Sequence, residues 1–318
     1  MRKRQVHWAR LETLLSACGR RGVRALDHRE LQELALLYRQ TAADLSTARA
    51  DPTSAALAQY LNALLGRAHN HLYAGRSGGL RAVLRFYASD FPRLVRANAV
   101  AIGAALGVFL FGGLVGLLLS IADPGFDRFL LGGDMIDTIE RKEMWTHEVL
   151  AMKPLASSAL MRNNIAVSLA ACASGIAGGL GTLYMMTFNG LLIGVIGAAC
   201  FRAGMSVSLW SFVAPHGALE LPAIFLAGGA GFVLAQGILF PGLRSRRDAL
   251  MAAGGQAIRL LFGVVPMLVI AGIIEAYISP TPMAPSLKFL LGGGLFTLLC
   301  LYLASAGRRP PVTADSAP

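Results

Sequence analysis

Between Pro215 and Gly231 the chain reads PHGALELPAIFLAGGAG, which sets His216 and Glu220 four residues apart at the mouth of an apolar, glycine-rich run. An imidazole and a carboxylate at i and i+4 lie on one face of a helix. In apolar surroundings such a pair can pass a proton, gate an ion or offer two ligands to a metal; a polar cap where a helix enters a membrane explains it equally simply. Two further ionisable residues end neighbouring apolar runs at similar positions, Arg202 and Glu275, and Asn163, Asn164 and Asn189 add amides at run edges. Charged groups facing hydrocarbon cost several kcal/mol unless paired. These residues therefore form the candidate polar cluster, with Arg202 as a countercharge for Glu220 or Glu275.

Pro222 bears on the geometry. Inside a helix it would take the amide partner from Ala218 and kink the chain, whereas in a first turn it is harmless. The economical arrangement starts the helix near Leu219, with Pro215-His216-Gly217 as an entry turn and Glu220 in the first helical turn. Catalytic zinc normally takes three protein ligands, and only His147 of a distant loop offers itself as a third. No HExxH helix, GxSxG elbow or GxxxxGK[ST] loop is present. No catalytic residue, metal or cofactor is expected on these grounds.

The elements that must position the cluster are membrane helices. Hydrophobic residues make up 55% of the chain, charged ones only 15%, and mean hydropathy is +0.55; soluble chains carry about 25% charged residues. Residues 97–122 contain no ionisable side chain, and about 20 apolar residues cross a bilayer. Six apolar runs follow one another at about 97–121, 164–187, 189–204, 217–240, 257–278 and 286–304. Phe188-Asn189-Gly190 is read as a tight turn between the second and third, and the third is short for a full span. The fold class is all-α: a polytopic membrane helix bundle with an N-terminal soluble helical domain.

Charge gives the expected topology. Residues 1–96 carry sixteen Arg/Lys against seven Asp/Glu, whereas 123–162 carry five against seven. The basic segments 1–96, 241–256 and 305–318 are placed on the cytoplasmic side of a bacterial inner membrane, with 122–163 outside. Arg81, Arg85, Arg93 and Arg96 abut the first span with no stacking pattern or zinc motif, so lipid rather than nucleic acid is their partner. The domains are then 1–96, basic and helical; 97–304, the bundle with its outer loop 122–163; and 305–318, a disordered tail. Within the first, HRELQELALLYRQTAADLSTARA (28–50) has a 3.6-residue apolar stripe, a cap at Asp27 and a stop at Asp51-Pro52. AALAQYLNALLGRAHNHLY supplies a second helix. In the outer loop, 135–151 reads as an amphipathic helix with Trp145 at the interface. The four cysteines have neither metal nor disulfide spacing.

Many of the 36 glycines lie inside the apolar runs. Gly175/Gly179 and Gly190/Gly194 are four apart, and Gly228 and Gly231 continue the theme. Lipid gives helices no hydrophobic reason to associate, so such faces serve close packing, within the chain or against a second copy in a homodimer.

RNNIAVSLAACASGIAGGLGTL, FNG and PHGALELPAIFLAGGAGFVLAQGILFPG resemble the stage II sporulation protein M family (DUF95). LYRQTAADLSTAR and YLNALLGRAHNHLY resemble its form in non-sporulating bacteria. The resemblance implies a multi-span inner-membrane protein without known chemistry. It also implies partners that include a MoxR-type ATPase system or envelope remodelling proteins. Three readings stay open: a non-catalytic scaffold or assembly component; a channel or transporter gated at Arg202, His216, Glu220 and Glu275; and, weakest, an intramembrane metal-dependent hydrolase.

Overall fold

The computed structural model describes residues 2–18, 23, 25–51, 54–73, 79–123, 125–143 and 153–305, with backbone alone for 2–3, 70–73 and 153–160. Among the described residues every regular element is helical. The chain divides into two compact units, Met1–Val83 and Leu84–Pro318.

The first unit is built from α1 (Arg2–Cys18), α2 (His28–Ala50) and α3 (Ala55–Tyr73). Asp27 opens α2 with a full capping box: its carboxylate accepts from the Glu30 amide at 2.7 Å, and Glu30 accepts from the Asp27 amide at 3.0 Å. The apolar stripes meet in a closed core of Leu11 and Leu14 from α1, Leu34 and Leu37 from α2, and Leu61 and Leu64 from α3. Polar ties cross the helix pairs around it. Trp8 Nε1 donates to Asp44 at 2.9 Å, and Arg10 holds Glu33 through two bonds. The hydrogen bond from Arg10 keeps the Glu33 carboxyl below its ordinary range.

In the second unit, a short helix α4 (Gly79–Arg85, beginning before the division) leads through one π-type turn, Phe86–Asp90, into α5 (Phe91–Ala97). Residues 84–96, grouped with the soluble domain by the sequence reading, dock on the bundle instead. Their aromatic rings give them apolar area that their arginines obscured. Phe91 is 1% exposed and fills the space left by Gly263. The Tyr87 hydroxyl donates to Phe262 O at 2.7 Å, and Tyr302 donates to Tyr87 O at 2.6 Å.

The remaining helices are α6 (Ala99–Ala122), α7 (Gly125–Leu131), α8 (Gly133–Glu140), α9 (Lys153–Ala173), α10 (Leu180–Arg202), α11 (Ser206–Leu239), α12 (Arg246–Tyr277) and α13 (Pro285–Ser305). By length and composition five of them, α6 and α10–α13, are apolar enough to cross a membrane. Gly112 of α6 lies against Thr187 of α10, and Gly116 against Leu191. Both numbers rise together, so α6 and α10 run parallel. Parallel neighbours need a return segment between them, and α9, which is not one of those five, runs back along the bundle. Its Met161 meets Gly272 and its Ala171 meets Gly231, which sets it alongside α11 and opposite to α6.

Three boundaries differ from the sequence reading. The Phe188-Asn189-Gly190 turn is absent: these residues are helical in the middle of α10, which is 23 residues long and not a short span. The Asn189 amide is satisfied within the helix by Met185 O at 2.8 Å. The break falls instead at Ser174–Gly179, where Gly178 and Gly179 take left-handed backbone, φ +64° and +87°. In the second case, α11 does not start near Leu219. It runs unbroken from Ser206 with Pro215 and Pro222 inside it, since membrane helices tolerate proline where neighbouring groups satisfy the freed backbone. In the outer loop the helix proposed for 135–151 ends at Glu140, and Lys142 turns the chain with φ +59°. Ile136 and Ile139 of α8 are buried against Cys200, Met205 and Leu209. Trp145 and His147 lie outside the described residues.

Backbone approaches backbone where glycine faces the next helix. A Cβ at Gly190 would overlap the Phe109 carbonyl, one at Gly194 the Gly113 carbonyl, and one at Gly175 the backbone of Gly231. At Gly228 it would stand 2.6 Å from Met186 Sδ, and at Gly231 it would strike Thr182 Oγ1. Gly179 serves the left-handed entry to α10. By contrast Gly103, Gly107 and Gly293 have nothing within 4 Å of that position.

Two outcomes are expected. Leu34→Ala, at a fully buried position, lowers the stability of fragment 1–83 by about 2–5 kcal/mol, read from its urea transition. Gly190→Val forces α6 and α10 apart and lowers the melting temperature of the full chain in detergent, while Gly293→Val leaves it unchanged.

Candidate functional site

Extension of α11 through Pro215 restores His216 and Glu220 to one helical face. Opposite them, α12 runs antiparallel, with Gly237 against Ala253 near one end and His216 beside Ser279 near the other. That register brings Glu275 to the pair. One ring nitrogen of His216 and one oxygen from each of Glu220 and Glu275 all lie within 4.8 Å of one another.

The depth of this group follows from α6. Phe225 packs edge-on against Phe109 with centroids 5.1 Å apart, and Gly228 faces Ala105. Carried along the helix, this antiparallel register sets Glu220 about level with Gly113, roughly 14 Å inside the end of α6 at 1.5 Å per residue. The sequence reading placed the cluster at the outer edge of the spans; Glu220 lies near mid-helix because α11 begins thirteen residues before Leu219.

His216 is only 6% exposed, and its Nδ1 shares a 2.9 Å hydrogen bond with Ser279 Oγ. The edge of the Phe212 ring lies against it, with centroids 5.3 Å apart. Ser279, just beyond the end of α12, accepts at its backbone carbonyl from Lys288 Nζ of α13 at 2.7 Å. Lys288 is itself buried. Glu220 and Glu275 are half-buried, yet the Oε2 atom of each is sealed from solvent with no hydrogen-bond partner. Neither carboxylate forms a salt bridge within 4.0 Å among the described residues. Chemically the group offers one imidazole nitrogen and two carboxylates, a set able to share protons or to ligate a cation.

The other candidate residues fall elsewhere. Arg202 does not neutralise Glu220 or Glu275. It forms an ion pair with Asp127 of α7, and its Nη1 donates to Ser120 O at 2.9 Å and Ser120 Oγ at 3.1 Å. Asp127 is 2% exposed, so the pair closes the end of α6 and α10. Asn163 and Asn164 of α9 bond to each other at 3.3 Å, and Asn189 bonds within α10. The sequence reading missed Ser279, Lys288, Ser120 and Asp127. Lys288, the sole cation in the last apolar run, was the one signal available; a serine and a loop aspartate carry none.

No curated protein and no solved structure matches this chain. Residues 1–74 match a family model described only as a domain of unknown function (DUF8413), which covers the three helices of the first unit. The model described as Stage II sporulation protein M matches residues 102–280. That stretch runs from the first turn of α6 to the loop after Ser279 and holds the whole His216–Glu220–Glu275 group. With more than half of its length so matched, and its apolar helices long enough to span a bilayer, the chain belongs to the stage II sporulation protein M family of membrane proteins.

Proposed function

We propose that this protein is a non-catalytic assembly component of the bacterial inner membrane, a rigid anchor that carries a soluble docking module. The observation that carries this reading is the contact of helix backbones at Gly112, Gly116, Gly175, Gly190 and Gly194. Helices that meet with main chain on main chain have no layer of side chains to slide over, which suits a fixed platform better than a rocking transporter. The first unit has its own closed core and keeps most of its charges at the surface, as a docking module requires. Its basic character, shared with RSRR at 244–247, favours a cytoplasmic location for both termini. Its partners in this reading are a MoxR-type ATPase system or envelope remodelling proteins.

The same reading includes a homodimer. Gly103 and Gly107 on α6 have nothing within 4 Å of where a side chain would begin, and the span is only 22% buried. A second copy would cover that face.

A channel or transporter remains as the second reading, favoured by a specific observation: two carboxylates and a histidine held together about midway through the bundle.

Purification of the cross-linked full chain from native membranes tests the first reading. Partner proteins are expected to accompany the intact chain and to be lost when residues 1–83 are deleted. Recovery of the chain alone, with ion flux in proteoliposomes, would overturn it. Glu220→Gln then decides the second reading, because flux untouched by that change excludes Glu220 as a gate. Gly103→Ile combined with Gly107→Ile is expected to convert a dimer into monomers in detergent, measured by light scattering, without altering the melting temperature of the fold.

A further inference from the structure

The geometry points to a resident divalent transition-metal ion, of the zinc class, held by His216, Glu220 and Glu275. This goes beyond the assembly reading and does not depend on it.

The donor set comes first. His216 and Glu220 stand one turn apart on α11, and Glu275 faces them from α12, with one donor atom from each within 4.8 Å of the other two. Donors around a tetrahedral zinc stand about 3.3 Å apart, given bonds of about 2.0–2.1 Å. Small side-chain rotations bring these three onto one ion.

The charges require something between them. Two carboxylates sit in an apolar bundle, each with a sealed oxygen that nothing bonds. A buried unpaired anion is strongly unfavourable, and two adjacent ones repel. Two cations of the bundle are engaged elsewhere: Lys288 donates to the Ser279 carbonyl, and Arg202, at the end of α10, is tied to Asp127 and Ser120. A divalent ion with two carboxylates and a neutral imidazole makes a site of zero net charge, the form best suited to the interior of a membrane. Imidazole with carboxylate favours zinc, iron or manganese. Magnesium demands a near-octahedral oxygen shell and keeps its waters.

The surroundings of the histidine make a second, independent observation. Metal-binding histidines almost always engage their other ring nitrogen in a hydrogen bond that fixes the ring. Here Nδ1 is held by Ser279 Oγ at 2.9 Å, which leaves Nε2 for a ligand. Ser279 is itself fixed, 1% exposed and bonded through its carbonyl to Lys288 of α13. Three spans thus hold one imidazole. No such arrangement supports Asn163, Asn164 or Asn189, whose amide hydrogen bonds to one another and to Met185 O remain within their own helices.

The test uses the full chain purified in detergent, without partners. Elemental analysis is expected to find about one equivalent of zinc per chain, or one bound on titration against a competing chelator. Zinc should raise the melting temperature and a chelator lower it. Glu220→Gln, Glu275→Gln and His216→Asn each weaken zinc binding more than tenfold and abolish the thermal response, and Ser279→Ala weakens it about 10-fold or more. If a ligand variant does not fold, cobalt supplies the second measurement. The unaltered chain should take up Co2+ with intense visible bands, altered in the Ser279→Ala protein. A native chain that holds no metal and gains no thermal stability from zinc, iron or manganese overturns the proposal and assigns the cluster to protons shared between the carboxyls. Because partner capture is not part of this measurement, its failure leaves the assembly reading standing, and the reverse holds too.

Discussion

Everything in the membrane unit depends on how closely two backbones can approach. In lipid, apolar side chains gain nothing by leaving one hydrocarbon surface for another, so helix association rests on dispersion contacts and hydrogen bonds. Gly190 against the Phe109 carbonyl, Gly194 against the Gly113 carbonyl and Gly175 against Gly231 bring main chain to main chain, the densest contact helices make. These contacts fix the rotation of α10 on α6 and of the Ser174–Gly179 break on α11. Once those rotations are set, the faces of α11 and α12 that point at one another are also set.

That fixed pairing is what allows polar groups inside the bundle. The hairpin of α11 and α12 runs in a register that holds Gly237 to Ala253 at one end and His216 to Ser279 at the other. Glu220 and Glu275 follow as neighbours, with no freedom to swing toward a distant countercharge. At the far end of α10 the same logic works with opposite charges: Arg202 reaches the buried Asp127 and the end of α6 through Ser120. One polar site is neutral within itself. The other has two carboxylates that, among the described residues, form no salt bridge.

Much of the fold was legible in the sequence because its causes are local. The Asp27–Glu30 capping box and the leucine stripe of α2 are spacings within a few residues, and residues 28–50 form that helix as read. Four of the six apolar runs, at about 97–121, 217–240, 257–278 and 286–304, overlap α6, α11, α12 and α13, because composition alone marks them. The failures share a different cause. Phe188-Asn189-Gly190 has the composition of a turn, but Gly190 is there to admit the Phe109 carbonyl, a demand made by a helix about eighty residues away in the chain. Pro222 argued for a helix start, but the bundle around α11 supports proline in its interior. Of the candidate cluster, His216, Glu220 and Glu275 come together, whereas Arg202 answers to a loop aspartate whose burial no local pattern announces.

The parallel pairing of α6 with α10 has a consequence for how the chain is made. These two helices touch along their glycine faces, yet α7, α8 and the whole of α9 lie between them in the chain. As synthesis proceeds from the N-terminus, α6 enters the bilayer before the partner of Gly112 and Gly116 exists, and it waits there until α9 has run back along the bundle and α10 has followed. The growing protein therefore passes through an obligatory stage in which its tightest joint has only one half. A membrane insertase that shelters α6 during that interval would shorten exposure of the unpaired face to other newly made helices.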